Sequence, residues 1–94
     1  MKLLKFYADW CNPCKQLTKT LKEVERVCPI PVESIDVDDS DNEDVVAQYG
    51  IRNIPVMLLL DDNNNLLTKM VGALPASTII STIQSYEGQS NDKA

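Results

Sequence analysis

Histidine is absent from the 94 residues, and cysteine occurs only three times. A closed zinc site needs about four Cys or His ligands, so the chain cannot build one alone. An odd, small cysteine count is also no framework of the kind that staples small secreted domains. Basic residues are scarce: nine Lys and Arg against fourteen Asp and Glu leave a net charge of −5, with no Lys/Arg cluster. Phosphate backbones demand a basic surface, which argues against direct contact with nucleic acid. Long hydrophobic runs are missing too. The chain opens on one lysine, a very short apolar stretch and then charge, so neither a secretory leader nor a membrane-spanning segment is expected. A cytoplasmic location is the resulting expectation.

What is present suffices for one small domain with a modest core, since 44% of the residues are hydrophobic. That domain is expected over residues 1–87, with Gly88 to Ala94 as a frayed, flexible tail. Much of the acidity is local: Glu33, Asp36, Asp38, Asp39, Asp41, Glu43 and Asp44 fall in one stretch without a basic residue. A solvated strand-to-helix loop explains them, the carboxylates favouring the helix N-terminus that follows. A calcium loop does not, because Asp41 stands where its glycine belongs and Ala47 where its bidentate glutamate belongs.

The chemistry concentrates in Trp10-Cys11-Asn12-Pro13-Cys14-Lys15, directly after the apolar run Leu3 to Tyr7. Two thiols one helical turn apart can make and break a disulfide. With the helix starting at Asn12 or Pro13, Cys11 sits at its N-terminus, where free N–H groups and the dipole favour a thiolate. Cys11 is therefore the candidate nucleophile, expected to be solvent-accessible, and Cys14 the resolving thiol behind it. Pro13 fits the first helical turn without losing a needed hydrogen bond. Buried core thiols would be the plain alternative, but a loop-to-helix junction beside Trp10 and Pro13 is a poor place for them. Cys28, roughly 20 Å away along the helix, reads as a packed or partly exposed bystander.

Periodicity supplies the remaining elements. Residues 2–7 are too short and too apolar for anything but a strand covered on both faces. From Pro13 to about Val27, the residues Leu17, Leu21, Val24 and Val27 recur at helical spacing, opposite Lys15, Lys19, Lys22, Glu23 and Arg26. Pro29 and Pro31 stop the helix, and Val32, Ile35 and Val37 predict a second strand, joined to the first by a right-handed parallel crossover. Ser40 or Asp41 can cap a short helix reaching Tyr49, with Val45, Val46 and Tyr49 inward and Gly50 past its end. Val56 to Leu60 predicts a buried strand, Asp61-Asp62-Asn63-Asn64-Asn65 a turn, and Leu66 to Val71 an antiparallel return. A last helix from Pro75 to about Tyr86 packs Ala76, Ile79, Ile80 and Ile83 on the sheet. The result is an α/β fold, βαβαββα, with a four-stranded mixed sheet flanked by three helices.

The Trp10–Lys15 motif resembles the active site of thioredoxins, in which glycine is usual where Asn12 stands. Tyr49-Gly50-Ile51-Arg52-Asn53-Ile54-Pro55 is similar to the family segment that ends in a cis-proline, and Val71-Gly72-Ala73 to its glycine turn. Correctly ordered and spaced, the three segments identify the chain as a short, glutaredoxin-sized thioredoxin, without the extra N-terminal strand and helix of full-length members. The resemblance implies a protein disulfide reductase cycling between a Cys11–Cys14 disulfide and a dithiol, with no bound cofactor and no metal. It implies a thioredoxin-reductase-type electron donor, disulfide-containing client proteins and a monomeric state. It also implies a substrate surface of Trp10, Asn12, Pro13, Asn53, Ile54, Pro55, Val71, Gly72 and Ala73. There Pro55 would pack against the disulfide, and the Ile54 backbone would pair with an extended client. Plain roles exist for several of these: core for Trp10, strand start for Pro55, turn for Gly72.

Two other functions compete. A glutathione-dependent, glutaredoxin-like reductase is suggested by the short chain, though only Lys15 and Arg52 are at hand for glutathione's carboxylates. Some glutaredoxin relatives bridge a cluster between two chains through the residue equivalent to Cys11, and Pro13 argues against that here. A thioredoxin-like interaction subunit of a larger enzyme would use the apolar rim of Trp10, Ile54, Val71 and Ala73.

Lys5 departs from the family, which usually has a buried aspartate five residues before the motif tryptophan; the lysine often paired with it is missing too, Ser34 standing before Ile35-Asp36. Lys5 either reaches water along an apolar stem or lies beneath Cys14 and assists its proton transfer. The second reading makes Lys5 a candidate catalytic residue, and strand alternation nominates Asp36 as its partner.

Overall fold

The computed structural model describes residues 1–92. Its elements follow the order β1 (Lys2–Tyr7), α1 (Asn12–Val27), β2 (Val32–Asp36), α2 (Glu43–Gln48), β3 (Val56–Leu60), β4 (Leu66–Val71) and α3 (Ala76–Asp92). The strands form one mixed sheet in the order β2-β1-β3-β4. β1 runs parallel to β2, and both other pairings are antiparallel. The predicted βαβαββα fold is therefore the observed one.

Period-two alternation along β1 divides the core. Leu3 faces α1 and α3, in a cluster with Leu17, Leu21, Val24, Met57, Leu59, Ile79 and Ile83. Leu4 and Phe6 face the other way, with Ile35, Val56, Leu58 and Leu60, under Val45, Val46 and Tyr49 from the α2 side. Both faces being covered explains why every residue of β3 is buried and why its sequence is unbroken Val-Met-Leu-Leu-Leu. The consequence for the site is that α1 lies on the same face as Leu3 and Lys5, so its first turn projects over the end of β1.

Several local expectations are corrected. Val27 is 59% exposed, and Cys28, four residues after Val24, fills the inner position instead. The α2 region is entered through a 3₁₀ turn over Ser40–Asn42 capped by Asp39, whose carboxylate accepts the Asp41 N–H, so neither Ser40 nor Asp41 is the cap. Asp39 wins because extended backbone there aims its side chain at the N–H two residues on. Helix α3 runs to Asp92, so residues 88–92 of the expected tail are helical. One glycine inside a helix costs about 1 kcal/mol, and no proline follows Gly88 to stop the helix. Residues 93 and 94 lie outside the described residues.

Candidate active site

β1 ends at Tyr7 because the chain turns at Ala8-Asp9-Trp10, where the Cys11 N–H bonds back to the Ala8 carbonyl at 3.1 Å. Cys11 then takes extended backbone, φ −88° and ψ 104°, as the N-cap of α1. Its Sγ accepts the backbone N–H of Cys14 at 3.1 Å, in the role a serine or aspartate plays at other helix starts. Pro13 occupies the first turn, where its missing N–H leaves no bond unmade. Cys11 and Cys14 are joined as a disulfide with Cα atoms 5.2 Å apart.

The two thiols are less asymmetric in exposure than expected. Cys11 is 4% exposed and Cys14 2%, so in the oxidised form both are buried, packed with Ala8 against Tyr7, Val37 and Ile54. Their difference lies in hydrogen bonding. Cys11 Sγ receives a helix N-terminal amide, the environment that stabilises a thiolate when the bond is reduced.

The predicted surface residues come from three segments: Trp10–Pro13 at the start of α1, Asn53–Pro55, whose Ile54 packs on the cysteine cluster, and Val71–Ala73, tied to Pro55 by a backbone hydrogen bond. Trp10 is 69% exposed, and its Nε1–H is held by Asp38 Oδ2 at 2.8 Å. Asn12 and Pro13 are exposed on the first turn of α1. The Ile54-Pro55 bond is cis; Ile54 packs on the cysteine cluster and Pro55 is fully buried. Among the described residues, no backbone hydrogen bond engages Ile54. Val71 pairs with Val56 across the sheet, and the Gly72 N–H donates to the Pro55 carbonyl at 2.9 Å. Gly72 has φ +93°, which is why glycine stands there; a Cβ would meet nothing within 4 Å. Asn53 and Ala73 are exposed beside this junction. A shallow cavity of about 160 Å³ there is lined by Arg52, Asn53, Lys69 and Val71 among others.

Lys5 is buried, 7% exposed, on the face that carries α1. Its Nζ donates to Thr18 Oγ1 at 2.9 Å and lies 5.5 Å from the Tyr7 ring centre. The nominated partner Asp36 is elsewhere: the register sets Lys5 beside Ser34 and Tyr7 beside Asp36, and the Asp36 carboxylate accepts the Asp38 N–H. The lysine stem turns toward the helix above it rather than along the sheet. Burial without a carboxylate partner lowers the Lys5 pKa from its ordinary 10.5. Thr18 and Asp38 were not predicted. Thr18 is four residues after Cys14, a spacing that could have flagged it. Asp38 was legible only as one carboxylate among seven.

Cys28 lies apart, buried at the far end of α1, with its Sγ 3.5 Å from Glu87 Oε1. Among the described residues there is no group of three or more His, Cys, Asp or Glu that could hold a metal, and no helix long and apolar enough to cross a membrane.

Comparison with known proteins agrees with this geometry. The thioredoxin family model matches residues 1–85. Thioredoxin of Haemophilus influenzae is 34% identical over 84 residues, covering 89% of this chain and 78% of that protein. Thioredoxin 1 of Synechococcus elongatus is 32% identical over the same shares. Among solved structures, thioredoxin 1 of Thermosipho africanus superposes with a TM-score of 0.80 at 27% identity, covering 97% of this chain and 99% of that one. A disulfide capping a helix at the end of a buried strand and a family match over nearly the whole domain have one meaning: the chain belongs to the thioredoxin family and is a thiol–disulfide oxidoreductase.

Proposed function

We propose that the protein is a general protein disulfide reductase that passes electrons from a thioredoxin-reductase-type donor to client proteins. Cys11 thiolate attacks a client disulfide, forming a mixed disulfide and releasing one client thiolate. Cys14 then attacks Cys11 Sγ, restoring the Cys11–Cys14 bond and freeing the second client thiol. The donor reduces that bond again. The observation that carries the assignment of roles is the amide of Cys14 pointing at Cys11 Sγ, because a thiolate gains from that donor only at Cys11.

The surface of Trp10, Asn12, Pro13, Asn53, Ile54, Pro55, Val71, Gly72 and Ala73 is proposed as the client site, supported by its position around the disulfide and by the unengaged Ile54 backbone. An extended client strand would bond there through its main chain, which makes recognition tolerant of sequence. The cycle suits a reducing compartment, the cytoplasm, and needs no second copy of the chain.

The test is coupled reduction of a protein disulfide with two donor systems in parallel. Turnover with NADPH and thioredoxin reductase, and little with glutathione and glutathione reductase, is expected. Turnover only with glutathione would replace this reading by the glutaredoxin-like one, and turnover with neither would favour an interaction subunit.

A further inference from the structure

Residues 27–92 hold eleven Asp and Glu but only two basic residues, Arg52 and Lys69. The fold brings both to one cavity of about 160 Å³, which they line with Gly50, Asn53, Val56 and Val71. Two separate local features put them there. After α2, Gly50 turns the chain at φ +61° and the Ile51 N–H bonds back to the Val46 carbonyl, which leaves Arg52 on the loop leading into the cis Ile54-Pro55 bond. On β4, Lys69 stands opposite Leu58 and Val71 opposite Val56, so both lie on the face where Val56 and Leu58 pack with Tyr49 and Ile51. Arg52 and Lys69 are exposed, and among the described residues neither has an ion-pair partner. Like charges that converge without a carboxylate repel each other, and an anion supplied from outside removes that cost.

The place of this cavity says which anion. Asn53 and Val71 belong to the proposed client surface, and none of the lining residues belongs to the cluster around the cysteines, so the cavity opens beside that surface rather than on the disulfide. At Trp10 the charge is opposite: Asp38 holds the indole and Asp9 is exposed.

We propose that Arg52 and Lys69 form a carboxylate-binding subsite, which makes the protein prefer clients with an acidic side chain a short distance to one side of the cysteine under attack. The inference rests on the disulfide-reductase reading and names a client class for its surface. A client strand bonded to the Ile54 main chain passes Asn53 and Val71, and its carboxylate reaches the two cations. Arg52 can offer paired N–H groups to the two carboxylate oxygens, and Lys69 adds a further charged donor. The cavity has room for about five waters at about 30 Å³ each, so the end of an acidic side chain can replace them.

The whole molecule pulls the other way. A net charge of −5 repels acidic clients at long range and favours basic ones. At about 0.15 M salt that field fades over about 8 Å, whereas a seated carboxylate meets the two cations at contact distance. The local pair should therefore win, by about threefold to tenfold, the range that one or two exposed ion pairs supply. The sign of the preference separates the two effects.

The test uses short peptides with a single cysteine, each joined by a disulfide to an aromatic thiol whose released thiolate is coloured. Attack by Cys11 of the reduced protein on the peptide sulfur releases the colour. Glu, Gln or Lys is placed at successive positions on either side of the peptide cysteine. In the wild type the Glu peptide should react about threefold to tenfold faster than its Gln twin, at positions on one side only. That ratio should fall to about one in the double variant Arg52→Gln, Lys69→Gln, where no local cation is left. Lys69→Arg keeps the charge and should keep the ratio, and Lys69→Glu should turn the preference toward the Lys peptide. Each ratio is taken within one protein, so a general loss of activity or stability cancels. A wild type that prefers the Lys peptide, a Glu preference equal on both sides of the cysteine, or a ratio unmoved in the double variant overturns the proposal while leaving the reductase reading intact. So does a loss confined to glutathione disulfide, which would assign the two cations to glutathione's carboxylates instead of a client's. Absence of colour release from every peptide with the wild type would instead remove the reductase reading.

Discussion

The N–H of Gly72 is given to the carbonyl of Pro55 at 2.9 Å, which ties the end of β4 to the loop that leans on the cysteine pair. That bond holds two of the three segments of the proposed client site in one register. At φ +93° any L side chain is strained, although a Cβ at Gly72 would meet no neighbour. Gly72→Val should therefore lose about 1–2 kcal/mol of stability from the backbone alone. The kcat/KM for a protein client should drop further than that for a small aromatic disulfide, because a valine would also obstruct the approaching strand. A melting temperature equal to the wild type would contradict the first part, and equal losses on both substrates the second.

Buried Lys5 should be a stability cost. Replacing it by methionine keeps the stem volume, and Thr18 retains its bond to the Cys14 carbonyl. Lys5→Met is expected to be more stable by about 1 kcal/mol at neutral pH, measured by urea denaturation. The sign with pH follows from the lowered pKa. Between that lowered value and 10.5 the unfolded chain holds the proton and the folded one does not, so wild-type stability rises with pH across the window. The gap between variant and wild type should thus be widest near neutral pH and close in alkali. A gap that grows with pH would contradict the burial argument.

Cys28 should be a sluggish thiol. Burial pushes its pKa above the ordinary 9.0, and the Glu87 carboxylate adds repulsion and a hydrogen bond that both favour the protonated form. The associated stability is complete below 9.0 and is lost as pH rises beyond it. Iodoacetamide should label Cys28 far more slowly than Cys11 in the reduced protein, and Glu87→Gln should speed Cys28 labelling a few-fold in mild alkali. Labelling that ignores Glu87 would show that burial alone controls the thiol.

The two ends of α1 separate core from surface. Leu17→Ala removes a fully buried side chain and should cost about 2–5 kcal/mol. Val27→Ala, at a position 59% exposed, should stay within about 0.5 kcal/mol. Comparable losses in chemical denaturation would mean that Val27 packs inward after all.

Much of this was legible in the sequence because local rules and tertiary packing agree. Five apolar residues in a row at Val56 mark a strand buried on both faces, and the Asp/Asn run after Leu60 marks the turn that returns β4. Pro13 and Cys11 fix where α1 begins, so the thiol pair could be set on a helix terminus from spacing alone. What was missed depends on which direction a side chain takes. Lys5 and Asp36 share a face of the sheet, yet the lysine stem rises to Thr18 on the helix above, and no strand periodicity encodes that turn. Val27 and Cys28 are adjacent and both apolar, and only the roll of the helix chose Cys28 for the core. The Trp10 bond to Asp38 could not be singled out from a stretch of carboxylates that looked interchangeable.

The division of labour between Cys11 and Cys14 is tested most directly by trapping. Cys14→Ser protein should be reduced, mixed with a disulfide-bonded client, and digested for peptide mass spectrometry without added thiol. Mixed disulfides should accumulate on Cys11, with Cys11→Ser protein trapping little through Cys14. Stable adducts on Cys14 in the Cys11→Ser protein, at a level equal to or above those on Cys11 in the Cys14→Ser protein, would contradict the assignment of Cys11 as nucleophile.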